Sequence, residues 1–97
     1  MARIVERSEG ISADSRMKRE IENTHCDKAT QRIIDFCGQN VVDEVDRKQK
    51  SSPNHRAIVY FEKDGKYYHI YKGLNGTQTL PGRYTYNVYV YVYEGNE

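Results

Sequence analysis

Residues 57–72, AIVYFEKDGKYYHIYK, carry the clearest structural signal in this chain. Apolar and polar side chains alternate with a period of two on both sides of Asp64-Gly65, which favours a two-residue type I′ turn. A turn of this length fixes the register of the two strands that it joins. The predicted cross-strand pairs are Phe61 with Tyr68, Val59 with Ile70, Tyr60 with His69 and Ile58 with Tyr71.

The residues before this hairpin repeat with the period of a helix. Between about residues 27 and 48, apolar side chains gather on one half of a helical wheel. These side chains are Ala29, Ile33, Ile34, Phe36, Cys37, Val41 and Val45. Pro53, in the polar connector 51–56, prevents the helix from continuing. We therefore expect one main amphipathic helix that packs this half against a sheet.

The N-terminal part carries weaker signals. Residues 2–8 suggest a short strand, in which Ile4 and Val5 are the strongly apolar positions. Residues 12–25 suggest a short helix with Ser12 as its N-cap. This segment is expected to add a second, smaller helix to the main one.

Beyond the hairpin, two further pairs of residues favour turns. Asn75-Gly76 and Pro81-Gly82 flank a short candidate strand, 77–80. Residues 83–93 alternate without a break and predict the last strand. The fold class is therefore α+β: one main amphipathic helix and a short N-terminal helix on one face of an antiparallel sheet of about three to five strands.

Length and charge limit the class of protein. The 97 residues fit one domain, in which 1–50 are mainly helical, 51–56 connect and 57–97 form the antiparallel β part. Lys and Arg (15) balance Asp and Glu (14), which excludes a histone-like protein. Charged residues interrupt the first twenty positions, which argues against a signal peptide and a membrane span. We expect a cytoplasmic protein, in the host cytoplasm if it is viral.

The strand periodicity sorts most tyrosines onto one side of the predicted sheet. Val88, Val90 and Val92 share the side that should meet the helix. The opposite side, here called the tyrosine face, carries Tyr60, Tyr67, His69, Tyr71, Tyr89, Tyr91 and Tyr93. Because tyrosine has a high β-propensity, this face fits an ordinary strand surface. It also fits a protein-binding surface, since interfaces are enriched in tyrosine and the predicted core is small.

A single-stranded nucleic-acid-binding protein could stack bases on the same rings. Its phosphate contacts would come from a rim made of Arg56, Lys63, Lys66, Lys72 and Arg83. The same periodicity, however, points Lys66 and Lys72 toward the helix side. The tyrosine face offers Glu62, Thr85 and Asn87 instead of cations. Nucleic-acid binding is therefore the alternative to protein binding.

Catalytic and metal-binding patterns do not emerge from the sequence. His25 and Cys26 would point about 100° apart on a helix, which does not allow a thiol–imidazole pair. Together with Cys37 and His55, they lack the paired spacing of a zinc site. On one helix the two cysteines would lie about 16 Å apart, so both are expected to be free thiols. We expect no enzymatic activity, catalytic residue, cofactor or metal.

The predicted order of a strand, a helix and antiparallel strands resembles the cystatin arrangement, in which a helix lies across a curved sheet. The turn Glu62-Lys63-Asp64-Gly65-Lys66 replaces the inhibitory hairpin loop of cystatins, so protease inhibition is not implied. Small proteins that have a recognition face and no catalytic chemistry are often accessory proteins or inhibitors, including those of phages and mobile elements. The hypothesis is a small non-enzymatic protein-binding module whose partner is a protein target or a second copy of the chain.

Overall fold

A computed structural model describes residues 2–6, 20–24, 28–80 and 83–94, with their side chains except those of 75–80 and 83–87. It contains strands β1 (Arg3–Val5), β2 (Glu20–Thr24), β3 (Ala57–Lys63), β4 (Lys66–Leu80) and β5 (Arg83–Glu94), and helices α1 (Gln31–Cys37) and α2 (Gln39–Ser51). The strands form one antiparallel sheet in the order β1-β3-β4-β5-β2. Both helices pack against it, which confirms the predicted α+β class.

The central hairpin has the predicted turn and register. Asp64 and Gly65 have φ angles of 54° and 79°, and a type I′ turn requires positive values at both positions. The Gly65 N–H donates a hydrogen bond to Glu62 Oε1 at 3.1 Å. The observed pairs include Phe61 with Tyr68, Val59 with Ile70, Tyr60 with His69 and Ile58 with Tyr71.

The core lies between the helices and the side of the sheet that the periodicity predicted. The strand side chains of the core cluster are those of Val59, Phe61, Tyr68, Ile70, Val90 and Val92. The buried helical side chains in the same cluster are those of Ile33, Cys37, Val41, Val42 and Val45. Phe36 closes one end, with its ring centroid 5.1 Å from that of Tyr68. The tyrosine face therefore lies on the other side of the sheet.

The prediction of one helix over 27–48 is wrong in its extent and continuity. The Thr30 hydroxyl accepts a hydrogen bond from the Ile33 N–H at 3.3 Å, and this N-cap starts α1 at Gln31. Gly38 separates α1 from α2 with φ 90° and ψ 149°, a conformation essentially reserved for glycine. Two short helices therefore cover the core in place of one long helix.

The helix predicted over 12–25 is also wrong where the structure describes it. Residues 20–24 form β2, which pairs with β5 at one edge of the sheet. The backbone of β5 gains hydrogen-bond partners there, and such long-range pairing overrides a sparse helical pattern. The rest of this segment, including Ser12, lies outside the described residues. Of the strand predicted over 2–8, the structure shows Arg3–Val5.

The turn predicted at Asn75-Gly76 is absent, because β4 runs through both residues. Asn75 pairs with Asn87 and Gly76 with Tyr86, so β5 supplies partners along this part of β4. Pro81-Gly82 lies outside the described residues, but Leu80 and Arg83 on either side of it are paired. Over residues 90–93, β5 lies between β4 and β2, so this part is not a sheet edge. No helix in the described part of the chain is long and apolar enough to cross a membrane.

Candidate binding surface on the tyrosine face

The sheet register brings the predicted tyrosine-face residues together from β3, β4 and β5. One row across the sheet consists of Tyr60, His69 and Tyr93. In the next row, Tyr71 pairs with Tyr91. One step further along the strands, Tyr89 pairs with Gly73. Tyr67 lies at the turn end of β4, opposite Glu62.

Six of these rings form one continuous cluster. The His69 ring centroid lies 6.1 Å from that of Tyr60 and 5.7 Å from that of Tyr93. The Tyr71 centroid lies 4.9 Å from that of Tyr91, with 14° between the ring planes, and 5.6 Å from that of Tyr89. A T-shaped contact of 4.8 Å between Tyr91 and Tyr93 joins the two rows. Each aromatic pair of this kind stabilises the folded protein by about 0.5–1.5 kcal/mol beyond the effect of the area that it buries.

The members of the cluster differ in exposure. Only 3% of His69 is exposed, although it lies opposite the helices. The tyrosines on both sides of it keep part of their surface exposed, as do Tyr71, Tyr89 and Tyr91. His69 therefore supports its neighbours more than it offers contact area. The outer contact area comes from the tyrosines.

Gly73 makes room for one ring of the cluster. A Cβ atom at this position would lie 2.5 Å from the Tyr71 hydroxyl oxygen and 2.7 Å from Tyr71 Cε1 and Cζ. The ring therefore occupies space that any other residue at position 73 would fill. Glycine weakens a strand by itself, but an aromatic ring packed over it restores buried contact.

Carboxylates border the tyrosine face on two sides. The Tyr93 hydroxyl donates a hydrogen bond to Glu20 Oε2 at 3.1 Å, and Asn23 Nδ2 donates to Glu20 Oε1 at 2.7 Å. Desolvation of the phenol raises the pKa of Tyr93, and the hydrogen bond to Glu20 and the negative charge of Glu20 raise it further. At the other side, Glu62 Oε2 lies 3.5 Å from Arg3 Nε.

The sequence did not predict that Glu20 belongs to this surface. A register shift between Glu20 and Glu22 breaks the simple alternation of β2. Glu22 binds Arg32 of α1 on the helix side, with 3.2 Å between Oε2 and Nε. Glu20, beyond the shift, faces Tyr93. No local sequence signal marks this bulge, which depends on the pairing of β2 with β5.

Two cations of the predicted nucleic-acid rim make their contacts on the helix side of the sheet. Lys63 Nζ donates a hydrogen bond to the Phe36 carbonyl oxygen at 2.9 Å and lies 3.8 Å from the Phe36 ring centroid. Lys72 Nζ lies 2.9 Å from Asp46 Oδ1 of α2. Both lysines are therefore on the helix side. Arg56 and Lys66 are exposed at strand ends, and the side chain of Arg83 is outside the described part of the structure.

Of the remaining histidines and cysteines, the structure describes Cys37 and His55, and both lie away from this surface. Cys37 is a free thiol at the centre of the core. Burial raises the pKa of its thiol to about 12, against an opposing effect of the Lys63 charge. His55 is exposed in the connector, and His25 and Cys26 lie outside the described residues. Among the described residues, no group of three or more His, Cys, Asp or Glu side chains could hold a metal ion.

Comparison with protein families, with curated proteins and with solved structures found no match to this chain.

Proposed function

We propose that this chain is a small non-enzymatic binding module, of the accessory or inhibitor type, that recognises another protein through its tyrosine face. The observation that carries this proposal is the continuous cluster of six rings on the side of the sheet opposite the helices. Tyrosine offers a large contact area and a polar hydroxyl group at low conformational-entropy cost, which explains its enrichment in binding surfaces.

The ring contacts favour tight binding because they order the side chains in advance. A mobile interface side chain costs about 0.5–1.5 kcal/mol when binding immobilises it. Tyr71 contacts both Tyr89 and Tyr91, so much of this cost is met when the protein folds. Tyr89 and Tyr91 lie mid-strand, and each contributes about 1–2 kcal/mol if it reaches the desolvated centre of an interface.

Three features favour a protein over a nucleic acid as the partner. Tyr71 and Tyr91 stack on each other, so part of each ring face is used within the cluster and is not offered to bases. Lys63 and Lys72 make their contacts on the helix side of the sheet. The carboxylate of Glu20 borders the face beside Tyr93, and its charge repels phosphates.

The test compares three double variants with the wild type. Tyr89→Ala with Tyr91→Ala removes the central rings, and Tyr89→Phe with Tyr91→Phe removes only their hydroxyl groups. Arg47→Ala with Lys48→Ala is the control, because both residues are exposed on α2, away from the tyrosine face. Circular dichroism verifies the fold of each variant. Light scattering measures self-association, and lysate with and without nuclease treatment supplies candidate targets for calorimetric titration.

We expect the alanine pair to weaken binding to the identified protein, or to a second copy, by at least about 30-fold. The control pair should change it less than about twofold. If folded alanine and wild-type proteins bind all targets alike and have the same oligomeric state, the tyrosine face is only a strand surface. Binding that disappears with nuclease would indicate the nucleic-acid alternative instead.

A further inference from the structure

A cavity on the helix side of the sheet is separate from the tyrosine face. It has a volume of about 290 Å³ and lies between α1, α2 and β4. Its charged lining residues are Lys28, Asp46, Lys50 and Lys72, and its larger apolar ones are Ile34 and Val42. This volume is just below the range of about 300–1,000 Å³ that is typical of ligand pockets, so the cavity suits a small molecule.

The charges of the cavity do not cancel. Three lysines and one aspartate line it, which gives a local formal charge of +2 (3 − 1), whereas the whole chain carries +1. Lys72 is deeply placed, with 3% of its side chain exposed, and Asp46 holds its ammonium group at 2.9 Å. Lys28 and Lys50 are exposed. Asp46 balances the charge of Lys72, so the remaining charge of +2 lies on Lys28 and Lys50. A molecule that enters the cavity can reach both of these ammonium groups.

We propose that this cavity binds a small organic anion, with a carboxylate or phosphate group on a short apolar body. Lys28 and Lys50 supply the charge for the anionic group, because ammonium groups make strong charge-assisted hydrogen bonds to such oxygens. Ile34 and Val42 provide apolar surface for the rest of the molecule. Asp46 pairs with the Lys72 ammonium group and neutralises its charge, so Lys28 and Lys50 supply the net positive charge that attracts the anionic group.

The probes are hexanoate, acetate and hexylamine, each titrated into the whole protein at constant ionic strength and followed by amide NMR shifts. Hexanoate carries both parts of the proposed ligand, acetate only the charge, and hexylamine an apolar chain with the opposite charge. The pocket variant is Lys28→Gln with Lys50→Gln. The control variant is Lys48→Gln with Lys66→Gln, which removes the same net charge from exposed lysines that do not line the cavity.

We expect hexanoate to shift amides of α1, α2 and β4 and to bind at least about tenfold tighter than acetate or hexylamine. The pocket variant should weaken hexanoate binding by at least about fivefold, and the control variant by less than about twofold. Equal binding of hexylamine and hexanoate would overturn the proposal. So would an equal effect of both variants, shifts confined to other surfaces, or no hexanoate binding up to its solubility limit.

Discussion

The ring of Tyr71 packs over the backbone of Gly73, two residues further along β4. A Cβ atom at Gly73 would come within 2.5–2.7 Å of three atoms of the Tyr71 side chain. The position of this ring against Tyr91, 4.9 Å away, and Tyr89, 5.6 Å away, therefore depends on glycine at position 73.

We predict that Gly73→Ala displaces the Tyr71 ring and disturbs the cluster without unfolding the protein. Overpacking of this kind should lower the free energy of unfolding by about 1–2 kcal/mol. The near-ultraviolet circular dichroism and the NMR signals of Tyr89 and Tyr91 should change with it.

Gly65→Ala is the matched control: φ is 79° there, and nothing lies within 4 Å of the added Cβ. It should destabilise the turn by about 1 kcal/mol and leave the ring signals unchanged. Unchanged ring signals in Gly73→Ala would contradict the prediction.

Local patterns were sufficient to predict the central hairpin and the two sides of the sheet. The turn at Asp64-Gly65 sets the register, and a period of two then places Val90 and Tyr91 on opposite sides whatever the other strands do. The position of the tyrosine face could be predicted for the same reason. Which other elements join the sheet depends on contacts between distant residues.

The errors lie where distant contacts decide the structure. A single glycine does not end a helical pattern in a sequence, so Gly38 was included in the predicted helix. In the structure, where α1 and α2 both pack on the sheet, the helix is broken at this residue. Glu20 was predicted to be helical from the local pattern of residues 12–25. In the structure it pairs with Tyr93, which is 73 positions away, and no local pattern indicates a contact over that distance. Asn75-Gly76 has the composition of a turn, but the partner strand β5 continues past it.

A second prediction concerns the ion pair between Lys72 and Asp46. Asp46→Asn should lower the free energy of unfolding by about 2–3 kcal/mol, because it removes the counter-charge of an ammonium group whose side chain is 3% exposed. Adding Lys72→Met should recover part of this loss, since the buried charge is then gone. Urea denaturation measures all three proteins.

The exposed pair of Arg47 and Glu44 provides the control for this ion pair. Glu44→Gln should cost less than about 1 kcal/mol, because solvent screens exposed charges. If Asp46→Asn and Glu44→Gln lower the free energy of unfolding by the same amount, the buried ion pair of Lys72 is worth no more than an exposed one, and the prediction is wrong.

A third prediction uses the break between the helices. Glycine to alanine inside a continuous helix stabilises it by about 1 kcal/mol. At Gly38 we expect the opposite sign, a loss of about 1–3 kcal/mol, because φ 90° and ψ 149° strain any residue with a Cβ atom. The added Cβ would also lie 2.9 Å from Asn40 Oδ1. Urea denaturation of Gly38→Ala in wild-type and Asn40→Ala backgrounds separates the two causes. A gain of stability in either background would contradict the prediction.

The last prediction concerns the pH dependence of stability at Cys37. Burial raises the pKa of this thiol from 9.0 to about 12 in the folded protein. Below pH 9 the thiol is protonated in both states, so its contribution to stability is fully present. As the pH rises from 9 toward 12, the unfolded chain loses its proton first and is favoured. The contribution should therefore fall by about 2 kcal/mol at pH 10.5.

Comparison of Cys37→Ala with the wild type separates this effect from the titration of the tyrosines. The pKa of Tyr93 is also raised in the folded protein, so its ionisation lowers stability at high pH in the same direction. Both proteins should carry Cys26→Ser, so that one thiol titrates. The alanine variant loses packing to the same extent at every pH, because the cavity it leaves is uncharged. Its stability deficit, measured by urea denaturation, should therefore shrink by about 2 kcal/mol between pH 7.5 and pH 10.5. A deficit that stays constant over this interval would show that Cys37 does not resist ionisation in the folded protein.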